Sequence, residues 1–389
     1  LSYRYDAAFI DPGLNTLVQG TPSYTYYLNS WGRNTEGQLA LGNTTNRSSP
    51  VQVGALTDWL EIAGGYSFAL AVKTNGTLWS WGRNNTGQLG LGNTTDYSSP
   101  KQIGALTTWA YVGVASNGTN MAGYAIKTDG TMWVWGSGAN GRLGLDDTSS
   151  RSSPVQLGAL TNWLKITSGA YSNFAVAIKT DGTMWSWGSN NAGQLGIGLS
   201  TAYNTSSPQQ IGALTSWANV SIGFNFAMAI KTDGTLWAWG GNSQGQQGVG
   251  NTTMRSSPIQ VGALTAWSKI SCGFRSDGAF CQAVRTDGTL WSWGFNRNGQ
   301  LGLGTSTYYA TLSSPNQVGS LTNWSNVSCG NEFAMASKTD GTLWSWGANN
   351  VGQLGLANTT QYSSPKQIGG NTNWYDPSAA FNSAFALAY

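Results

Sequence analysis

The chain has 389 residues and a formal net charge of +3, with only 9% charged side chains but 53 Gly and 20 Trp. Soluble domains usually carry about 25% charged residues, so a charged helical bundle is excluded and a β-rich fold is expected. Histidine is absent, which removes imidazole-metal, Ser-His-Asp and Cys-His chemistry and predicts a protein without catalytic residues, metal or cofactor. The small net charge, with no basic runs, argues against a nucleic-acid partner. No apolar run approaches the roughly 18 residues that cross a bilayer, so no membrane insertion is expected, and no signal-peptide pattern follows Leu1.

In chain order, residues 1–22 match no repeat and are read as an N-terminal extension; residues 23–389 read as a single domain. A Trp-Gly pair recurs with its Trp at 31, 81, 135, 187, 239, 293 and 346, and a Ser-Ser-Pro follows each, ending at Pro50, Pro100, Pro154, Pro208, Pro258, Pro315 and Pro365. A second Trp comes next, at 59, 109, 163, 217, 267, 324 and 374. Six copies add a third, at 79, 133, 185, 237, 291 and 344, which accounts for every Trp in the chain.

Within one unit, residues 60–63, 68–73 and 77–81 read as strands, and a fourth falls near 51–53 or 101–103. Thr74-Asn75-Gly76, or Thr-Asp-Gly in the other internal copies, predicts a type I′ hairpin turn between the second and third strands. Four antiparallel strands every 50 to 54 residues describe a propeller blade. An isolated blade cannot offset its ordering entropy of about 1–2 kcal/mol per residue, so blades must stack. The chain end, from Trp374 to Tyr389, matches only the first two strands of a unit, while Tyr27 to Gly32 matches a third strand in which Asn29 replaces Trp. The expected fold is therefore an all-β seven-bladed propeller whose ring is closed by pairing of the N- and C-terminal strands.

The segments Trp81 to Gly90 and Trp346 to Gly355 read Trp-Gly-x-Asn-x-x-Gly-Gln-Leu-Gly. Together with Ser-Ser-Pro and Thr-Asp-Gly-Thr-Leu-Trp, they resemble the repeat of the regulator of chromosome condensation over about residues 24–389. The resemblance implies a seven-bladed propeller closed by its termini. It is compatible with a guanine-nucleotide exchange factor, a secreted inhibitor or a structural protein, because fold does not fix function. No segment matches the exchange factor's acting loop. The near-identical repeats, rich in Asn, Thr, Ser and Gly, resemble those of phage virion and bacterial surface proteins. The expected function is a non-catalytic protein-interaction or structural module at a virion or extracellular surface, for adhesion, decoration or assembly. The alternative is a soluble inhibitor or exchange-type regulator with one protein partner.

Among carboxylates, Asp129, Asp181, Asp233, Asp287 and Asp340 fall in hairpin turns; Glu36, Glu61 and Glu332 are open as members of a catalytic pair, and Asp146-Asp147 as a cation site. Lys73, Lys127, Lys179, Lys231, Arg285 and Lys338 precede the turns, as an anion ring or as solubilising charge. Cys272 and Cys281 flank an enlarged loop where a disulfide is open; Cys329 occupies the repeat position of Cys272, which favours a buried small residue instead. Loops after the first and third strands emerge on one face, and variation concentrates there: Arg47, Tyr66, Tyr97, Arg151, Tyr171, Tyr203, Phe224, Arg255, Arg275, Phe280, Tyr308, Tyr309 and Tyr362. Tyr and Arg dominate binding hot spots, so this face is expected to hold the site for a protein partner or surface receptor.

Overall fold

The computed structural model describes residues 26–167, 169, 172–199, 203–273, 278–306 and 311–389. Among the described residues, twenty-eight strands form seven four-stranded antiparallel sheets. In blade 1 the strands are Trp59–Gly64, Phe68–Lys73, Leu78–Gly82 and Tyr97–Gln102, in spatial order from first to fourth. Blades 2 to 6 repeat this pattern, starting at Trp109, Trp163, Trp217, Trp267 and Trp324. Among the described residues the single helical turn is Ala139–Gly141, and no helix is long and apolar enough to cross a membrane. The expected N-terminal extension, residues 1–22, lies outside the described residues.

Blade 7 closes the ring as the sequence predicts. Trp374–Ala379 and Ser383–Ala388 supply its first two strands, and Tyr27–Gly32 and Arg47–Gln52 its third and fourth. The terminal strands pair in unbroken register from Tyr27↔Ala388 to Gly32↔Ser383. First strands of neighbouring blades touch around the axis, including those of blades 7 and 1. Serines cross these inner boundaries: the Ser221, Ser271 and Ser328 hydroxyls accept from the amides of Cys272, Cys329 and Ala379 at 3.0, 2.9 and 2.8 Å.

The core lies between blades, not within them. Phe68, Leu70 and Val72 of blade 1, for instance, pack on Trp109, Val112 and Trp135 of blade 2. Each Trp of the Trp-Gly pair is fully buried and donates its indole N–H to a backbone carbonyl of the preceding blade, at 2.8–3.0 Å in all seven cases. The following Gly has a structural reason: at Gly82, with φ +98°, a Cβ would sit 2.4 Å from the Ser67 carbonyl oxygen.

Two local features differ from expectation. The fourth strand starts one residue before Ser-Ser-Pro, at Arg47 or Tyr97, four residues earlier than predicted, and includes Pro50 or Pro100. It is the outermost strand, where a missing N–H faces solvent and costs no ladder bond. The hairpin turn is not type I′, because only Gly76 has positive φ (+75°) while Asn75 does not. Gly76 N–H bonds the Lys73 carbonyl at 2.8 Å and Lys73 N–H the Thr77 carbonyl at 3.0 Å, the pattern of a type I turn with a glycine bulge. The Asp in the other turns holds the bulge: Asp129 Oδ1 accepts from both the amide and the hydroxyl of Thr131, at 2.9 and 2.7 Å. These bonds keep Asp129 below the usual carboxylate range.

Candidate functional site

The loops after first and third strands share one end of the propeller, as expected, and the structure arranges their side chains in two circles. Arg47, Tyr97, Arg151, Arg255 and Tyr362 each open the outermost strand of a blade, opposite a Trp-Gly glycine. They are half-buried on the outer rim, and Tyr203 stands beside that rim, 60% exposed. Tyr66 and Phe224 occupy the tight turns joining the first two strands of blades 1 and 4, nearer the axis. Tyr171, Arg275, Tyr308 and Tyr309 lie outside the described residues. Phe280 is not a surface residue: it begins the second strand of blade 5, is fully buried, and packs with Val284, Leu290 and Trp324. It is the copy of Phe68, displaced in sequence by the enlarged loop before it.

Of the residues singled out, Tyr66 and Glu332 line a cavity of about 540 Å³ over the seam between blades 6, 7 and 1, with Asn298 of blade 5 at its edge. Phe381 and Asn382, from the inner turn of blade 7, complete it, and loop composition alone did not identify them. The Tyr66 and Phe381 rings lie 4.1 Å apart between centroids, tilted by 36°, and the Arg33 guanidinium sits 5.9 Å from the Tyr66 centroid.

Joined to Phe381 and Asn382 is the turn at Asn331–Glu332. Glu332 has φ +61°, a left-handed conformation that costs a non-glycine residue about 1–2 kcal/mol. Its surroundings enforce it: the Glu332 carbonyl accepts from Ala348 N–H at 2.8 Å, and Asn331 N–H donates to the Phe381 carbonyl at 2.9 Å. Asn331 Nδ2 donates to Asn382 Oδ1 at 3.2 Å, while the buried Asn331 Oδ1 accepts no hydrogen bond among the described residues. Strained, over-determined turns of this kind concentrate at binding sites.

The repeat motif of the regulator of chromosome condensation (RCC1) matches residues 28–72, 75–119, 129–176, 181–230, 233–275, 287–337 and 340–379. The chain belongs to the RCC1 repeat family. The matched units are out of phase with the blades: the first, 28–72, spans the outer half of blade 7 and the inner half of blade 1, so the RCC1 repeat itself encodes the blade-to-blade joint.

Among sequence relatives, the ultraviolet-B receptor UVR8 of Arabidopsis thaliana is 31% identical over 234 residues, 59% of this chain and 52% of the receptor. The E3 ubiquitin-protein ligase HERC2 of Homo sapiens is 28% identical over 239 residues, 60% of this chain and 5% of the ligase. The matched segments thus span about half of one relative and a small part of the other. The crystal structure of Prp20p from Saccharomyces cerevisiae, a protein described with binding properties to Gsp1p and histones, superposes with TM-score 0.79 at 19% identity, covering 95% of this chain and 92% of Prp20p. Human WBSCR16 gives 0.78 at 19% identity, covering 93% and 98%. Both likenesses concern the RCC1 fold.

Five of the six cations before the turns form neither an exposed anion ring nor a solubilising fringe in this RCC1 propeller; the sixth, Arg285, is half-buried and pairs with Asp287 at 2.9 Å. Lys73, Lys127, Lys179, Lys231 and Lys338 are buried, each between two indoles of its own blade; Lys179 Nζ lies 4.8 Å from the Trp163 centroid and 3.8 Å from that of Trp185. Blade 7 explains itself on the same logic. There Asn29 replaces the third-strand Trp and Ala388, opposite Trp374, replaces the Lys, so the slot and its cation are lost together.

The axis carries one polar side chain per blade, at Glu61, Tyr111, Lys165, Asn219, Lys269, Asn326 and Asp376. Lys165 Nζ donates to Asn219 Oδ1 at 3.0 Å and Asn326 Nδ2 to Asp376 Oδ1 at 2.8 Å. Burial, then the nearby Asp376, push the Glu61 carboxyl well above its usual range, against the pull of Lys165. This is a carboxylate pair, but it lies on the inner strands and neither member lines the cavity. Asp147 is engaged by Arg151 at 2.7 Å. Cys272 and Cys281 face each other across the first two strands of blade 5 as thiols, with sulfurs 3.1 Å apart. Burial pushes both Cys281 and Cys329 well above the ordinary thiol range, which suits packing more than nucleophilic chemistry.

Proposed function

We propose that this RCC1 propeller is a non-catalytic recognition module of a virion or extracellular surface, and that it engages a protein partner through the face carrying the first- and third-strand loops. The observation that carries this reading is the asymmetry between the two ends. One end repeats Thr-Asp-Gly turns and Gly-Ala-Leu-Thr connections. The other presents Arg47, Tyr203 and Arg255 on its rim and the Tyr66–Phe381 pair at its seam. Relatives support a protein partner in kind, since Prp20p is described as binding Gsp1p and histones. The charge-poor, Asn- and Thr-rich surface suits variable ionic strength, because it makes few salt-screened interactions.

The test is affinity capture from virion or cell-surface fractions of the native source, read by mass spectrometry and by negative-stain imaging of the particles. A partner bound by the natural chain should be lost from the rim variant Arg47→Ala/Tyr203→Ala/Arg255→Ala. It should be retained by Leu106→Ser/Leu160→Ser on the other end. Equal capture by both variants removes the face assignment; capture of one soluble partner, with no particle containing the chain, favours the inhibitor or exchange-type alternative.

A further inference from the structure

We propose that the cavity over the closing seam is a saccharide site that takes a neutral, polyhydroxylated ring. The inference goes beyond the protein-partner reading; it shares the Tyr66–Phe381 pair with that reading but none of its rim residues, which do not line the cavity.

Size comes first. A volume of about 540 Å³ falls within the roughly 300–1,000 Å³ of small-ligand pockets. The wall chemistry then narrows the class. Carboxamides dominate the lining, among them Asn298, Asn331, Asn350, Gln361 and Asn382, and each offers donors and an acceptor without charge. A sugar hydroxyl likewise both donates and accepts, so amides match it without a preference for either sign of ion. Glu332 is the one charged residue among those lining the cavity, and the Arg33 guanidinium lies close to the Tyr66 ring, so no uniform field selects an ion. An apolar ligand fits no better, because the amides would be left unpaired beside it.

Geometry supplies the other two requirements. The half-buried Tyr66 and Phe381 rings give an apolar surface on which the C–H face of a sugar ring can lie. Beside them, Asn331 is 9% exposed, and its Oδ1 is a buried acceptor without a partner among the described residues. Its amide is held by Asn382, and its backbone by the Phe381 carbonyl. Oδ1 is itself covered, so a ligand hydroxyl completes it by a turn of the Asn331 carboxamide on a backbone that the Phe381 carbonyl already holds.

The test uses the full chain with maltotriose, chitotriose, lactose and α-mannobiose, and choline chloride as a cationic comparison, by saturation-transfer NMR followed by titration calorimetry. At least one saccharide should bind, with Kd of about 10 μM to 1 mM. Asn331→Leu should weaken it by about tenfold or more; because it also removes the bond from Asn331 Nδ2 to Asn382 Oδ1, some Tm is lost with it, and a second variant that leaves this bond in place is read beside it. Phe381→Leu keeps apolar volume while removing the ring, and should also weaken binding. The rim variant Arg47→Ala/Tyr203→Ala/Arg255→Ala should bind the saccharide as the natural chain does. The proposal is overturned if no saccharide shows transfer at about 10 mM, if choline alone binds, if both cavity variants bind normally, or if the rim variant loses the ligand. Partner capture by the rim is judged separately, so failure here leaves that reading standing.

Discussion

The Trp239 indole donates to the backbone carbonyl of Gln194 at 2.9 Å, tying blade 4 to blade 3. The equivalent bond from Trp187 ends on the Arg142 carbonyl, which also accepts from the Tyr124 hydroxyl at 2.7 Å. Replacing either Trp with Phe removes one donor, but only Trp239→Phe strips the carbonyl of its indole with no hydroxyl in reserve. A buried group left unsatisfied costs about 1–3 kcal/mol. Trp239→Phe should therefore be less stable than Trp187→Phe by about 1 kcal/mol in guanidinium unfolding. Equal midpoints would mean that ring volume, not the hydrogen bond, ties the blades.

Lys179 tests whether charge in the indole slot matters. Lys179→Met keeps most of the stem and removes the ammonium between Trp163 and Trp185, a desolvated cation–π contact of about 2 kcal/mol. The expected loss is about 1–2 kcal/mol by denaturant titration. Lys366→Met removes a cation 5.5 Å from Tyr362 on the exposed edge and should cost less than about 1 kcal/mol. If Lys179→Met is as stable as the natural chain, the stem alone fills the slot.

Glu61 makes stability depend on pH. Its carboxyl is pushed up in the folded chain, so the folded state binds its proton more tightly than the unfolded state does. That contribution is complete below the unfolded pKa and is lost as pH rises through the folded one. Glu61→Gln, which is uncharged throughout, should raise Tm at pH 8 by on the order of 1–2 °C and lose that advantage near pH 4. A constant difference across this range would show that Asp376 and the burial of Glu61 do not govern its protonation.

Much of the fold was legible because a periodic indole can be counted. The Trp spacing gave seven units, and the incomplete units at the two ends gave a shared blade. The slot chemistry was less visible: Lys73 and its equivalents sit beside turn carboxylates in sequence, yet their ammonium groups lie between Trp rings contributed by strands on either side. The turn is not type I′ because Asn75 tolerates positive φ but does not adopt it; Gly76 alone takes it, at no steric cost. Phe280 was placed on the surface because an enlarged loop obscured the repeat phase. The cavity depended on Asn331, Phe381 and Asn382, ordinary loop residues whose meeting with Tyr66 is set by ring closure and not by any local pattern.

Closure is thus the claim on which both the recognition face and its cavity stand, since Tyr66 comes from blade 1 while Phe381 and Asn382 come from blade 7. Native-state hydrogen exchange of the Tyr27–Gly32 amides tests it most directly. If these residues are locked between Ser383–Ala388 and Arg47–Gln52, their hydrogen-bonded amides should exchange only through global opening, within about tenfold of those in Phe226–Lys231 of blade 4. Exchange orders of magnitude faster, as in a fraying terminus, would contradict a closed ring.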